Sequence, residues 1–287
     1  VFIAEMGARR KGDIKRLMKI VAPDISVLTG INSQHLETFK SKDNIINEKL
    51  QILKMLKNDG SAVVNGNLKG LIEEKCGCAT AKITYAGCEG DTVYASDMVI
   101  GQDGSVFHLH FGDEVYVTQT RLIGKHNIEN LAVASSVAYA LGVSPKHIVE
   151  RIATIEPVPH RLQLISKDVV RIIDDTFNGN PYGAKNALET LQSFSGRKIV
   201  VTPGLVELGD SEKEENIMLG QRIAEVADIA VLIGGRCSAH IRKGMEDFQG
   251  EILHFATLKE AQKSFKDFIH IGDNILLLND LPDIYED

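Results

Sequence analysis

Apolar residues in the first part of the chain fall into short runs that alternate with stretches of helical period. Val1 to Ala4 reads as a strand, Ile14 to Val21 as a helix, Ile25 to Thr29 as a strand, Asp43 to Lys57 as a helix and Ser61 to Asn65 as a strand. That order predicts parallel strands joined by crossover helices. Between Cys76 and Arg121 the pattern changes to β-type runs, among them Lys82-Ile83-Thr84-Tyr85, Val106-Phe107-His108-Leu109-His110 and Val115-Tyr116-Val117, broken by Gly and Asp. These predict an antiparallel insertion. A helix from about Asn127 to Leu141 stops at Gly142, and a short helix then leads to Glu156-Pro157-Val158-Pro159, the most Pro-dense spot in the chain. A domain boundary is expected there, giving domains 1–156 and 157–287. Beyond it lie five apolar strands, near Val169, Ile199, Ala230, Ile252 and Ile275, separated by helical patterns. The expected fold class is α/β: a partial parallel-sheet domain with an antiparallel β insertion, followed by a doubly wound, Rossmann-like domain.

Composition sharpens this picture by exclusion. The 287 residues suit two domains, each with its own core. A hydrophobic content of 44% against 25% charged residues describes an ordinary globular protein, so disorder is not expected. The net charge of −7 is modest, and the basic residues are scattered, which argues against a nucleic-acid surface. No apolar run approaches the roughly 20 residues that cross a bilayer, and the expected location is the cytoplasm. Cys76, Cys78 and Cys88 crowd a short stretch, with Cys237 far away, but their spacing matches no zinc pattern, so reduced thiols are expected. The chain opens directly on an apolar run with no initiator Met, as though cut from something longer.

Three features carry candidate chemistry. On a helical wheel of about 100° per residue from Ile45, Ile46, Leu50, Leu53 and Leu56 span about 20° to 140°, and Lys49 falls at about 40°, inside their arc. Either its stem packs on apolar surface while the ammonium reaches water, or a partly desolvated amine sheds its proton and becomes usable. Glu5, in Ile3-Ala4-Glu5-Met6-Gly7-Ala8, ends an apolar run at a place where parallel sheets gather ligands, and His35 follows the next strand in Thr29-Gly30-Ile31-Asn32-Ser33-Gln34-His35-Leu36. Alone, His35 reads more readily as a structural histidine than as a ligand.

Together these segments resemble the central domain of the Mur ligases, with its Glu-Met/Leu-Gly-Ala strand end, its Asn-Ile-x-x-x-His-Leu loop and a lysine 14 residues after that His, the separation of His35 and Lys49. The resemblance implies two magnesium ions, one held by Glu5, the other by His35 and a carbamylated Lys49; hard oxygen ligands suit that ion. Gly124-Lys125-His126-Asn127-Ile128-Glu129-Asn130-Leu131-Ala132 is similar to the helix start that reads adenine in the family, although Asn127 alone would pass for a helix N-cap. Pro159-His160-Arg161-Leu162-Gln163 resembles the family's hinge, whose Arg reaches nucleotide phosphate. Ile172-Ile173-Asp174-Asp175-Thr176-Phe177-Asn178-Gly179-Asn180-Pro181 resembles the motif of the branch that joins D-Ala-D-Ala to a UDP-muramoyl tripeptide, with Asp175 on ribose and Asn178 and Asn180 toward substrate.

The resemblance implies an ATP-dependent amide ligase of peptidoglycan synthesis. ATP would phosphorylate a muramoyl-peptide carboxylate to an acyl phosphate, which an amine then attacks. Glu5, His35 and Lys49 would form the metal centre, and His126, Asn127, Asn130, Arg161 and Asp175 the nucleotide contacts. A monomer acting on small molecules is expected. Two departures qualify the match. The Gly-rich phosphate loop of the family is missing from these residues, and Gly204 to Ser211 is no substitute because Asp210 stands where Lys is needed, so this stretch alone is expected to be inactive. Where the family often has Lys-Gly-Ser-Arg after its last strand, Leu278-Asn279-Asp280-Leu281-Pro282-Asp283 stands here. A folylpolyglutamate or glutamate-adding ligase, or a non-catalytic binding module on the same fold, are the rival readings.

Overall fold

The computed structural model describes residues 1–32, 36–76, 82–101, 103–166, 170–177 and 179–279. By contact density the chain divides into two compact units. The first holds Val1–Val99, Val106–Thr120 and His126–Thr154; the second holds Ile100–Ser105, Arg121–Lys125 and Ile155–Asp287.

The first unit is built on a six-stranded sheet in the order β1 (Ile25–Leu28), β2 (Ser61–Asn65), β3 (Lys82–Gly87), β4 (Val93–Gly101), β5 (Gly104–Phe111), β6 (Glu114–Thr120). β1 runs parallel to β2, with Ile25 opposite Ser61, as the alternating pattern predicts. β3 also pairs in parallel with β2, Lys82 opposite Ser61, so the Lys82 run belongs to the parallel sheet and not to the insertion. A local run of β-formers fixes strand character but not strand direction, which the tertiary partner decides. Contacts between β4 and β5 run in reversed order, Tyr94 with His110 and Asp97 with His108, as in a hairpin.

Val1–Ala4 is not a strand. It has no ladder partner among the described residues, and Ile3 is 89% exposed, so its β-propensity finds no edge to pair with. Of the crossover helices, α1 (Asp13–Ile20) stands as predicted, whereas Asp43–Lys57 forms two segments, α3 (Lys42–Lys49) and α4 (Gln51–Lys54), after a single turn at α2 (Leu36–Phe39). Leu28, Ile46, Leu50, Leu53, Leu56, Ala62, Val64 and Ile72 bury the helices against the sheet. α6 (Lys125–Ala140) stops at Gly142, whose φ of 83° a side chain would resist, and α7 (Pro145–Ile152) starts from a Ser144 cap and Pro145.

The second unit has its own sheet, in the order β11 (Glu251–Phe255), β10 (Ile229–Ile233), β9 (Lys198–Thr202), β12 (Asn274–Leu278), β8 (Arg171–Asp175), β7 (Gln163–Ser166). Five strands are parallel, and β7 is an antiparallel edge that sequence reading did not separate from the hinge; Val169 lies outside the described residues. Every residue of β10 is buried, as a strand covered on both faces requires. Alternate side chains serve opposite faces: Val200, Ala230, Leu232 and Leu276 pack toward α8 (Pro181–Gln192), α9 (Glu212–Val226) and α10 (Ser238–Gly244), while Ile199, Val231 and Ile275 pack toward α11 (Leu258–Phe268). This is the doubly wound arrangement.

Candidate functional site

In the first unit, Lys49 closes α3 and is half-buried between Glu48 and Leu50. Burial is the largest influence on its amine and holds it below the ordinary lysine range, against the opposing pull of the Glu48 and Glu5 carboxylates. The charge of Glu5, an exposed side chain, is therefore felt at Lys49, and two of the three residues expected at a metal centre share one electrostatic neighbourhood. His35 lies outside the described residues. Among the described residues no three His, Cys, Asp or Glu side chains form a ready metal cage.

Sequence reading missed Glu48. Its carboxylate is 4% exposed and accepts from the Gly12 and Ile14 amides, both at 2.8 Å, at the start of α1. Gly12 precedes α1 in a left-handed conformation with no side-chain cap of its own, so Glu48 supplies from another helix the acceptor that a local Ser or Asp would give. Asp13 accepts from the Arg9 and Arg10 amides, 3.0 Å each, and Thr38 donates to the Arg9 carbonyl. The loop leading from Glu5 is thereby fastened to the helix that carries Lys49. The same wheel that picked out Lys49 sets Glu48 about 60° to the other side of Ile45, a signal that could have found it.

The nucleotide candidates His126, Asn127 and Asn130 lie in the opening turns of α6, three and four residues apart and so on one side of the helix. Asn127 is inside the first turn, which removes its reading as the N-cap. His126 and Asn127 are half-buried and Asn130 is exposed. On the buried side Glu129 accepts from Asn67 Nδ2 at 3.4 Å, and the Asn65 side chain takes the Asn67 amide at 2.9 Å, tying α6 to the end of β2.

In the second unit the paired aspartates at the end of β8 have separate tasks. Asp174 is 7% exposed; it meets His160 Nδ1 at 2.9 Å and accepts from the Thr176 hydroxyl at 2.7 Å. Asp175 accepts the Leu162 amide at 3.0 Å, and burial raises its carboxyl to about 6, an effect that the Leu162 amide and Arg161 reduce and Asp174 reinforces. His160 and Leu162 both hold left-handed backbone, φ 62° and 48°, which places the exposed Arg161 guanidinium 4.7 Å over the Phe177 ring. Asn180 caps α8, its Oδ1 accepting the Gly183 amide at 3.0 Å, and Asn178 lies outside the described residues.

Asp175 has a clear stability consequence. A carboxyl raised from the usual 3.8 to about 6 stabilises the fold while protonated, and that contribution drains away as pH rises from about 4 through about 6. Asp175→Asn is therefore expected to gain about 1 kcal/mol more over the wild type at pH 8 than at pH 5 in urea unfolding. An equal effect at both pH values would remove the assignment.

Family comparison bears on both units. Residues 1–138 match the model of the Mur ligase middle domain, and residues 160–278 match that of the Mur ligase, glutamate ligase domain. The chain belongs to the Mur ligase family. Over 281 residues, 96% of the chain, it is 27% identical to the UDP-N-acetylmuramoyl-tripeptide--D-alanyl-D-alanine ligase of Bacillus subtilis, and it is 30% identical over 224 residues to the ligase of that name from Buchnera aphidicola subsp. Baizongia pistaciae, 77% of the chain and 48% of that protein. The chain spans 60% of the length of the Bacillus relative. Among solved structures, MurF ligase from Thermotoga maritima in complex with ADP superposes with a TM-score of 0.87 at 25% identity, over 98% of this chain and 64% of that one. A MurF from Acinetobacter baumannii gives 0.84 at 27% identity, over 97% and 61%. The α/β architecture, parallel for the most part, is thus that of a Mur ligase, and no described helix is long and apolar enough to cross a membrane.

Proposed function

We propose that this chain is the metal-binding and C-terminal portion of an ATP-dependent ligase that joins D-Ala-D-Ala to a UDP-muramoyl tripeptide, working as a cytoplasmic monomer, with the domain boundary in the Pro-rich segment around residue 156. The observation that carries the reading is Lys49, an amine held below its ordinary range by burial within reach of the Glu5 charge. An amine that sheds its proton easily can bond carbon dioxide through the freed nitrogen lone pair, losing a second proton from nitrogen as the carbamate forms, so that two protons leave and a cation becomes an anion. Glu5, His35 and the modified Lys49 would then present carboxylate, imidazole and carbamate, a donor set that fits magnesium. When bound, magnesium supplies positive charge against the phosphoryl group in transfer.

The remaining roles belong to the chain's own groups. His126, Asn127 and Asn130 offer amide and imidazole donors and acceptors for the edge of a base. Arg161, held over Phe177, presents a permanent charge for phosphate, and Asp175 offers its carboxylate to ribose hydroxyls. Asn180, engaged as a helix cap, fixes the start of α8 and orients the segment that approaches the amine substrate.

The test is ADP release by the protein extended upstream to the length of its relatives, supplied with UDP-muramoyl tripeptide and either D-Ala-D-Ala or glutamate. Turnover with D-Ala-D-Ala alone is expected, and no turnover from residues 1–287 by themselves. Turnover with glutamate instead would move the chain to another branch, and none with either would favour a binding module.

A further inference from the structure

Outside the ligase site, the β4–β5 hairpin carries a polar cluster with no part in the chemistry above. His108 and His110 are two apart on β5 and share a face. His108 Nδ1 lies 2.8 Å from Asp97 Oδ2, Ser96 Oγ lies 3.0 Å from that same oxygen and 2.9 Å from His110 Nε2, and the His110 ring stacks on Tyr94 at 4.2 Å. Ser96 and Asp97 are consecutive, so on a regular strand they would point to opposite faces. Both reach the histidine face because Asp97 takes φ 49°, a left-handed conformation that costs a non-glycine residue and acts here as a bulge does, re-aiming a side chain. Strain of this kind persists where the surroundings demand it.

The hydrogen bonds also fix which ring nitrogens carry protons. Asp97 can only accept while ionised, and its carboxyl is held below the usual range by the His108 and Ser96 hydrogen bonds. His108 Nδ1–H therefore donates to it, and so does the Ser96 hydroxyl, leaving the Ser96 oxygen to accept from His110 Nε2–H. Each imidazole keeps one lone-pair nitrogen, Nε2 on His108 and Nδ1 on His110. A carboxylate behind one nitrogen with the lone pair on the other is the arrangement that orients histidine toward a metal.

We propose that His108 and His110 form a surface chelate for a divalent transition ion of the zinc, nickel or copper class, with Asp97 orienting His108 from the outer shell. Among the described residues no three His, Cys, Asp or Glu side chains form a preformed cage, so water would complete the ion's shell around the two imidazoles. Imidazole donors select these ions over magnesium.

The test is zinc titration by calorimetry of metal-free, tag-free protein in excess magnesium, which keeps hard-ligand sites filled. His108→Asn and His110→Asn should each weaken zinc binding at least tenfold, about 1.4 kcal/mol. Asp97→Asn keeps a residue tolerant of left-handed backbone and should weaken binding several-fold, while His240→Asn should leave it unchanged. In proton spectra, zinc should shift two imidazole signals that are missing from the two histidine variants, a readout that also reports whether each variant is folded. Zinc binding unaltered in both histidine variants, or no binding tighter than about 1 mM in the wild type, overturns the proposal.

Discussion

Replacing Glu48 by Ala is expected to cost the first unit about 2–4 kcal/mol, because it strips the acceptor from two amides at the start of α1 and leaves a cavity beside Lys49. The Ile14 amide is buried, so no water replaces the lost carboxylate at full value. Glu48→Gln keeps the volume and one carbonyl acceptor, but turns an NH2 toward a backbone N–H, and should fall between Ala and the wild type. Urea unfolding gives the free energy, and hydrogen exchange at the Ile14 amide shows whether the opening is local. A loss within about 0.5 kcal/mol, the range of ordinary surface substitutions, would show that the carboxylate does not fasten the Glu5 loop to the Lys49 helix.

Gly220→Ala is expected to cost the second unit at least about 1–3 kcal/mol, although alanine is the better helix former. α9 and α10 cross at Gly220 and Gly244. A Cβ at 220 would stand 2.0 Å from the Ile241 carbonyl oxygen, and one at 244 the same distance from that of Ile217. Both obstacles are backbone, so relief requires the helices to separate and to uncover Leu219, Ile223 and Ile241. Gly70→Ala, at the second residue of α5 (Lys69–Cys76) where a Cβ meets nothing within 4 Å, should instead stabilise slightly, by up to about 0.5 kcal/mol. Opposite signs for the two substitutions in one melting experiment separate packing from propensity.

The sequence made β1, β2, the stop of α6 at Gly142 and the apolar strand β10 legible, because each is written in local period or local chemistry. What it hid depended on partners distant in the chain. Val1–Ala4 has the residues of a strand and no ladder among the described residues, Lys82–Tyr85 has the residues of a hairpin and joins the parallel sheet, and Gln163–Ser166 gains strand character from its pairing with β8. At the site, the wheel found Lys49 by its place among leucines. It gave no sign that Glu48 reaches 36 residues back to the Gly12 amide, nor that Asp174 is committed to His160 and Thr176 while Asp175 keeps one carboxylate oxygen clear of the Leu162 amide. Periodicity reports which face a residue occupies; the polar partner it finds there is decided by the fold.

The account stands on Glu5, His35 and Lys49 meeting around divalent ions, and an anomalous difference map from crystals grown with manganese and bicarbonate addresses that directly. It should show manganese beside Glu5 and His35, with density for an added carboxylate continuing from Lys49 Nζ. Manganese elsewhere, or a bare Lys49 with the three side chains apart, would contradict it.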